Sequence, residues 1–357
     1  MTSLDQVISK VSPLDSSAMA AARERQAQLT KPRGSLGSLE DLAVQIAGIT
    51  GNAMPELTEK VILTMAADHG VAAEGVSLYP QAVTGQMVYN FLKGGAAINV
   101  LARVINARVV IVDMGVIGGF PPTDNLVCKM IDFGTADMAQ GPAMTQAQAM
   151  DSLQAGVDIV EKELAAGMDI MGTGEMGIGN TTAASAIIAT MTGKPVSSVA
   201  GRGTGIEEKQ LIHKIAIIER ALSINRPDPR DAMDVLAKVG GFEIGGLAGA
   251  MIACAANRLP VVIDGFISGS AALIAAGLCP QLSGYLIASH LSAENGHGLC
   301  LDRLGLKPLL SLNMRLGEGT GAALGIFLAE AAVKLHTQMA TFNQAHITDI
   351  PEGNKQK

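Results

Sequence analysis

The chain has 357 residues, of which 48% are hydrophobic and 3% aromatic, and 26 Lys and Arg against 33 Asp and Glu give a formal net charge of -7. This apolar content excludes a disordered protein, and the acidic balance with few aromatic side chains argues against nucleic acid as a partner. At about 100 to 200 residues per domain, the length fits about two folding units and fits equally well one large α/β domain with a small appendage, which we favour.

Nothing in the sequence predicts export or membrane insertion. Met1–Asp5 lacks the basic and apolar regions of a signal peptide. Gly265–Ser289 has no charged residue, but it contains Pro280 and Gln281, and we interpret it as buried helix and loop. The four cysteines form no Cys-x-x-Cys pair, which predicts reduced thiols rather than a zinc site or a disulfide framework. We therefore expect a cytoplasmic protein without membrane contact.

Two helices are predicted near the N-terminus. Ser16–Leu29 is rich in Ala with interspersed charges, and Lys31 and Pro32 after it disfavour a continuing helix. Ser38 and Asp41 predict a capped start for the second helix.

Four short apolar runs predict buried strands, because each is rich in small or branched apolar residues and ends abruptly in glycine with polar residues. They are Val61–Met65, Arg108–Val112, Met168–Met171 and Leu259–Ile263. Longer segments of helical length lie between and around them, among them Thr182–Thr192, Glu207–Ile224 and Gly246–Ala256. This alternation predicts an α/β fold with a parallel sheet covered by helices on both faces, and ligands at the carboxyl ends of its strands.

The C-terminal part is predicted to be helical over Gly321–Met339 and to end in a polar tail, Pro351–Lys357. We expect helices from both chain ends to pack together as one small helical unit. The predicted boundaries are residues 1–30 and 330–357 for this unit and 31–329 for the large α/β domain.

Two glycine-rich turns precede helices. Gly172–Gly177 fits the Gly-x-Gly-x-x-Gly pattern of dinucleotide-binding folds, but it lies mid-chain and lacks the expected acidic residue about 20 residues later. It continues through Ile178–Thr182 into a helix, where free backbone N–H groups and hydroxyls suit a phosphate. Gly201–Gly205 repeats the arrangement, with Thr204 and Glu207 as a capping box. Each turn alone fits a purely structural role equally well, whereas two turns favour a phosphorylated ligand.

Two carboxylates lie in glycine-rich surroundings. Glu318 stands between glycines just before a helix, where it either approaches a ligand or complements the helix dipole, and Glu175 shares this ambiguity. Asp68 and His69 follow the first strand. Because the other histidines show no ligand spacing, we expect His69 to be a structural histidine with a hydrogen-bond partner rather than a metal ligand.

Eight motifs occur in order along nearly the whole chain: Lys31–Gly37, Ala67–Val71, Gly174–Thr182, Asn225–Asp231, Lys238–Glu243, Asp264–Phe266, Ser289–Glu294 and Arg315–Gly321. Together they resemble the nicotinate-nucleotide:dimethylbenzimidazole phosphoribosyltransferase family of the cobalamin lower-ligand pathway. The resemblance implies transfer of a 5-phosphoribosyl group from nicotinate mononucleotide to 5,6-dimethylbenzimidazole, giving α-ribazole 5′-phosphate and nicotinate. It also implies a Rossmann-like large domain, a small helical domain built from both chain ends, and a homodimer.

The resemblance further implies roles for individual residues. Glu318 matches the family's catalytic base, Glu175 its second active-site carboxylate and Lys214 its phosphate-contacting lysine. The phosphate and ribose of the donor are then expected at the two glycine-rich turns, on Gly177, Asn180, Thr181, Gly203 and Thr204.

The acceptor base is expected to contact Tyr79, Gln86, Met87 and Leu316, although ordinary packing explains Tyr79 and Met87 equally well. Nicotinate leaves from a positively charged ring nitrogen and needs no proton, so one carboxylate that deprotonates the acceptor suffices. Because no diphosphate leaves, the reaction needs no magnesium clamp. We therefore predict no metal and no cofactor, with small molecules as the only ligands.

Two other functions remain open at this point. An NAD-dependent oxidoreductase rests on the single Gly-x-Gly-x-x-Gly match and predicts that nicotinamide dinucleotides stabilise the protein. A non-catalytic nucleotide-binding sensor is the second, because anion sites at helix N-termini bind phosphate whether or not chemistry follows.

Overall fold

The computed structural model describes residues 2–203 and 205–348 and has a parallel β-sheet at its centre. The strands are β1 (Lys60–Ala67), β2 (Ala107–Gly115), β3 (Leu126–Cys128), β4 (Ile170–Met176), β5 (Val261–Ile263) and β6 (Leu286–Ala288). The strand order in the sheet is β3-β2-β1-β4-β5-β6, and every two adjacent strands pair in parallel. The strand order reverses between β1 and β4, and doubly wound folds bind ligands at the carboxyl ends of the strands beside that point.

Helices cover both faces of this sheet, which confirms the predicted α/β architecture with its Rossmann-like sheet. In chain order the helices are α1 (Leu4–Ile8), α2 (Ser16–Gln28), α3 (Ser38–Thr50), α4 (Val83–Leu92), α5 (Ala97–Val104), α6 (Gln146–Ala165), α7 (Asn180–Thr192), α8 (Val196–Val199), α9 (Glu208–Asn225), α10 (Ala232–Val239), α11 (Phe242–Ala256), α12 (Phe266–Leu278), α13 (His297–Leu304), α14 (Thr320–Gln338) and α15 (Phe342–Ala345). Short 3-10 turns lie at Gly70–Glu74 and Pro280–Tyr285.

The central strand β1 shows why the sheet has two apolar layers. All its residues are buried. Val61, Leu63 and Met65 belong to the cluster that includes α6, α7, α11 and α12, whereas Ile62 and Ala66 belong to the cluster that includes α3, α4, α5 and α14. Successive strand residues point to opposite faces, so a continuous apolar run fits a strand that is covered on both sides.

Glycines allow α6 and α11 to pack closely against each other. A Cβ atom at Gly156 of α6 would lie 1.9 Å from the carbonyl oxygen of Gly246 in α11, and one at Gly249 of α11 would lie 1.9 Å from that of Leu153. The contacted atoms are backbone, so a methyl group at either position forces the two helices apart.

We expect Gly156→Ala to lower the free energy of unfolding by about 1–3 kcal/mol, because overpacking outweighs the gain of about 1 kcal/mol in helix propensity. Urea denaturation followed by circular dichroism measures the change. Gly85→Ala in α4 is the control, since its added Cβ would meet only Val116 Cγ1, at 3.7 Å. That variant is expected to be at least as stable as the wild type, and equal stability of both variants would contradict the packing argument.

Both predicted helix caps differ from the structure. Helix α3 begins at Ser38, but Gly37 occupies the N-cap position and no side chain caps the helix, so the predicted Ser38–Asp41 cap is wrong. Helix α9 begins one residue later than predicted, because the extended backbone of Glu207 makes it the N-cap residue, and its N–H donates to Gln210 Oε1 at 3.2 Å. Glu207 is therefore the N-cap residue of α9 and not its third residue, and the predicted partner Thr204 lies outside the described residues.

Two strands of three residues each, β3 and β6, are not predicted from the sequence. Strand β6 lies inside Gly265–Ser289, where the sequence favours helix and loop, and α12 and a 3-10 turn account for the rest of that stretch. Within residues 2–203 and 205–348, no helix is long and apolar enough to cross a membrane.

The end of α2 lies close to the end of α14 and the residues that follow it. The Arg25 guanidinium in α2 donates to the carbonyl oxygens of His336 (2.7 Å) and Thr337 (3.0 Å) at the end of α14. Leu29 pairs with Thr341 in an isolated antiparallel bridge. These contacts support the helical unit at 1–30 and 330–357, but its boundaries stay a prediction, and residues 349–357 lie outside the described part.

Candidate active site

A cavity of about 280 Å³ lies at the carboxyl edge of the sheet, where β4, β5 and β6 end. The lining residues include seven that the sequence predicts for the site: Tyr79, Glu175, Gly177, Asn180, Thr181, Gly203 and Leu316. Parallel strands end at the same edge, so the fold brings these distant parts of the chain together.

Glu175, near the end of β4, is a buried carboxyl group at this cavity. The side-chain amide of Asn180 donates a hydrogen bond to Glu175 Oε2. Burial raises the pKa of Glu175 to about 8, and the nearby carboxylates of Asp264 and Glu243 add to the shift. This shift favours the protonated form of Glu175, which can donate a hydrogen bond to an oxygen atom of a ligand.

A buried lysine lies at the N-terminal end of α7. Lys214 of α9 is 1% exposed, and its Nζ donates to Thr181 Oγ1 at 2.8 Å. Gly203 lies against both groups, since a Cβ atom there would be 3.1 Å from Thr181 Oγ1 and 3.5 Å from Lys214 Nζ. Burial lowers the pKa of Lys214 to about 8, although the charge of Glu294 opposes the shift. The ammonium group of Lys214, the hydroxyl of Thr181 and the N-terminus of α7 therefore lie together, and this arrangement suits the binding of an anionic group.

Glu318 stands in a turn of three successive residues with left-handed backbone, Gly317, Glu318 and Gly319, with φ values of 84°, 65° and 98°. Its side chain turns toward the start of α5, where the N–H of Ile98 donates to Oε2 at 3.3 Å. Burial raises its pKa, while hydrogen bonds from the backbone of Ile98 and Ala97 act in the opposite direction. The predicted base therefore lies next in sequence to Gly317 of the cavity lining, with its carboxylate at a helix N-terminus.

The structure does not bring the four predicted acceptor residues to one cavity. Tyr79 and Leu316 line the cavity described above and are 54% and 58% exposed. Gln86 instead lines a second cavity of about 390 Å³ together with the edge-to-face pair Tyr89 and Phe120. Met87 is partly buried and packs against the apolar cluster on the α14 side of the sheet. The acceptor roles of all four stay predictions.

The glycines of the Gly-x-Gly-x-x-Gly match do not form a nucleotide-binding turn. Gly172 and Gly174 lie within β4, whereas the dinucleotide motif needs its glycines in the turn that follows the strand. A Cβ atom at Gly174 would lie 2.3 Å from the carbonyl oxygen of Glu318, so this glycine serves the close approach of the Glu318 turn. The geometry removes the basis of the dinucleotide interpretation.

His69 is buried and its Nε2 lies 2.7 Å from Glu243 Oε1, so it has the predicted hydrogen-bond partner, and its structural role stays a prediction. The ring packs beneath the first glycine-rich turn, since a Cβ atom at Gly177 would contact His69 Cδ2 at 3.4 Å. Among the residues that the structure describes, no group of three or more His, Cys, Asp and Glu side chains has the arrangement of a metal site.

Several polar residues at the cavity have no individual role predicted from the sequence. His290 and Glu294 line it, and the Arg315 guanidinium donates to the carbonyl oxygen of Gly203 at 2.8 Å. His290 follows β6, so the rule that polar residues collect at strand ends would have indicated it, had this short strand been predicted. Arg315 connects the Glu318 segment with the second glycine-rich turn.

Comparisons with known proteins agree with this geometry. A family model described as phosphoribosyltransferase matches residues 11–347. The nicotinate-nucleotide–dimethylbenzimidazole phosphoribosyltransferase of Desulforudis audaxviator is 58% identical over 348 residues, 98% of this chain and 99% of that protein. The protein of the same name from Roseiflexus sp. is 57% identical over the same shares of both chains. The crystal structure of CobT from Thermus thermophilus superposes with a TM-score of 0.90 at 45% identity, covering 93% of this chain and 99% of that one. This chain therefore belongs to the nicotinate-nucleotide–dimethylbenzimidazole phosphoribosyltransferase family.

Proposed function

We propose that this protein transfers the 5-phosphoribosyl group of nicotinate mononucleotide to 5,6-dimethylbenzimidazole or a related base, forming α-ribazole 5′-phosphate for the nucleotide loop of cobalamin. The full-length relatives that carry this enzyme name support the reaction. The observation in the structure that carries it is one cavity lined by the buried Glu175 and by Thr181 at the N-terminus of α7, whose hydroxyl accepts a hydrogen bond from the buried Lys214.

The donor phosphate binds at the end of the cavity formed by the two glycine-rich turns. Lys214 supplies the countercharge, and Gly177 and Gly203 permit close approach of backbone N–H groups. Asn180 and Thr181 open α7 at the same place, and Thr204 completes the second turn in the sequence. Anchoring the phosphate there fixes the position of the anomeric carbon, which lowers the entropic part of the barrier.

The transfer exchanges one C–N bond for another. The bond between the anomeric carbon and the nicotinate nitrogen breaks, and its electron pair neutralises the cationic pyridine ring, so nicotinate leaves without a proton. A benzimidazole nitrogen attacks from the opposite face, which inverts the β-linked donor to an α-linked product. The proton on the second benzimidazole nitrogen passes to the carboxylate of Glu318.

The two glutamates have different tasks in this mechanism. Glu318 is ionised when the acceptor binds, and its burial makes it a stronger base than an exposed carboxylate. The raised pKa of Glu175 favours its protonated form, which donates a hydrogen bond to an oxygen atom of nicotinate mononucleotide in the cavity. Tyr79 and Leu316 of the cavity lining contact the acceptor base. The proposed contacts of Gln86 and Met87 require that these side chains, which face a second cavity and an apolar cluster, move when the base binds.

We also propose that the enzyme is a cytoplasmic homodimer that needs neither metal nor organic cofactor and binds neither nucleic acid nor membranes. The net charge of -7 supports the absence of nucleic-acid binding. Only a monophosphate is held and no diphosphate leaves, so no step of the proposed reaction requires a divalent cation.

Mass spectrometry of a reaction mixture tests the function. Purified protein with nicotinate mononucleotide and a mixture of dimethylbenzimidazole, adenine and phenol is expected to release nicotinate and give a ribazole-phosphate mass, with and without a chelator. Donor binding without any ribosylated base would favour a nucleotide-binding sensor. A thermal shift with NAD but not with nicotinate mononucleotide would favour the oxidoreductase.

A further inference from the structure

Asp264, which follows β5, is 1% exposed and makes three hydrogen bonds to the segment that carries Glu318. Its Oδ2 accepts from the N–H of Gly319 at 3.0 Å, and its Oδ1 accepts from Gly321 at 2.6 Å and Ala322 at 3.1 Å. These N–H groups belong to the first turn of α14 and the residue before it, so the carboxylate satisfies donors that the helix leaves unpaired. Asp264 thereby fixes the backbone immediately after Glu318.

The turn needs such a constraint because its backbone is unfavourable for glutamate. Glu318 has a φ of 65°, a left-handed conformation that residues with a side chain rarely adopt. Its carbonyl oxygen accepts from Thr64 Oγ1 in β1 at 3.0 Å, and Gly174 in β4 packs directly against the same carbonyl group. The residue is thus held on one side by β1 and β4 and on the other by Asp264 at the end of β5.

Asp264 itself is rigidly placed. Its N–H donates to Thr173 Oγ1 in β4 at 3.0 Å, and its carbonyl oxygen accepts from Ser289 Oγ, just after β6, at 2.9 Å. Asp264 therefore connects the Glu318 turn with β4, β5 and β6, the three strands that end at the cavity. Both of its carboxylate oxygens accept hydrogen bonds from the backbone N–H groups around the start of α14, and Asp264 is not among the residues that line the cavity.

From this geometry we propose that Asp264 is a positioning residue, which holds the carboxylate of Glu318 at the place where it receives the acceptor proton. The inference rests on the proposed function for the role of Glu318. A neutral amide at position 264 retains only one acceptor oxygen and presents an N–H group to at least one of the three backbone donors.

The test measures kcat and KM for Asp264→Asn, with Asp169→Asn as the matched control. Asp169 also fixes a loop, accepting from the N–H groups of Thr58 and Glu59 at 2.8 Å each, but at the amino edge of the sheet. We expect Asp264→Asn to lower kcat about 10- to 100-fold with the KM for nicotinate mononucleotide little changed. Asp169→Asn is expected to leave both constants within about two-fold of the wild type.

A double variant separates positioning from general damage to the fold. If Asp264 acts through Glu318, adding Asp264→Asn to Glu318→Gln lowers kcat less than about two-fold further. Thr64→Val, which removes the hydrogen bond to the Glu318 carbonyl group by another route, is expected to lower kcat about 2- to 10-fold. This variant gives an independent measurement if Asp264→Asn folds poorly.

A crystal structure of Asp264→Asn completes the experiment, because it locates Glu318 without any measurement of turnover. If Asp264→Asn does not fold, the crystal structure of Thr64→Val serves the same purpose. The Glu318 carboxylate is expected to leave the N–H of Ile98. An unmoved Glu318, a kcat within two-fold of wild type, or an undiminished effect in the Glu318→Gln background would overturn the inference. Absence of turnover in the wild-type protein would instead contradict the proposed function, and the crystal structure would then decide the inference alone.

Discussion

Glu318→Gln is expected to lower kcat about 10²- to 10⁴-fold, because the amide keeps the size of the side chain but cannot accept a proton from the acceptor base. The glutamine oxygen can still accept the hydrogen bond from Ile98, so the turn keeps its place. Steady-state kinetics with dimethylbenzimidazole gives kcat, and isothermal titration with nicotinate mononucleotide is expected to show donor affinity within about three-fold of wild type.

Glu163→Gln is the matched control for this variant. Glu163 is equally buried, but its partner is Arg108, far in sequence from the Glu318 turn and outside the cavity lining. We expect its turnover to match that of the wild type. Wild-type turnover in Glu318→Gln would show that another group receives the proton, or that none needs to.

Lys214→Met is expected to raise the KM for nicotinate mononucleotide about 10- to 100-fold, because the donor phosphate loses a charge-assisted hydrogen bond. The aliphatic part of the lysine is retained in size, so the packing of α9 is preserved. The exposed Lys209 on the same helix provides the control, and Lys209→Met is expected to leave KM unchanged.

The pH dependence of KM supplies an independent measure of the same group. Burial lowers the pKa of Lys214 to about 8, so the free enzyme loses this charge as the pH rises through that value. The KM for the donor is therefore expected to rise above pH 8 in the wild type, and the part of this rise due to Lys214 to disappear in Lys214→Met. An identical pH profile in both proteins would exclude Lys214 as the phosphate anchor.

The sequence predicts the fold well where a strand is long or its context is distinctive. β1, β2 and β4 are recognisable because their apolar runs end in glycine and polar residues, and the first part of α14 follows a glycine-rich turn. β6 escapes prediction because three apolar residues within a charge-free stretch resemble the buried helix α12 before them. A strand as short as β6 forms because it pairs with a neighbouring strand, which is β5 here. Such pairing cannot be predicted from the local sequence alone.

The candidate site shows the same division between local and long-range information. Gly177, Asn180 and Thr181 are predicted together because one turn carries them. The contact between Lys214 and Thr181 joins two helices, and the direction of the Glu318 side chain toward α5 joins segments 220 positions apart. Neither contact can be predicted from the spacing of residues along the sequence. For the same reason, Gln86 and Tyr79 are predicted from the sequence to share one acceptor pocket but line different cavities in the structure.

Exposure differs sharply between the two groups of residues assigned to donor and acceptor. Lys214 and Glu175 are 1% and 6% exposed, whereas Tyr79 and Leu316 are 54% and 58% exposed. Substitution of a buried residue changes folding stability as well as ligand binding, but substitution of an exposed loop residue changes stability little. Under the proposed assignment, single substitutions at Tyr79 or Leu316 therefore change the contacts to the acceptor base at little cost in stability, whereas a substitution at Lys214 or Glu175 that alters donor binding also alters the stability of the fold.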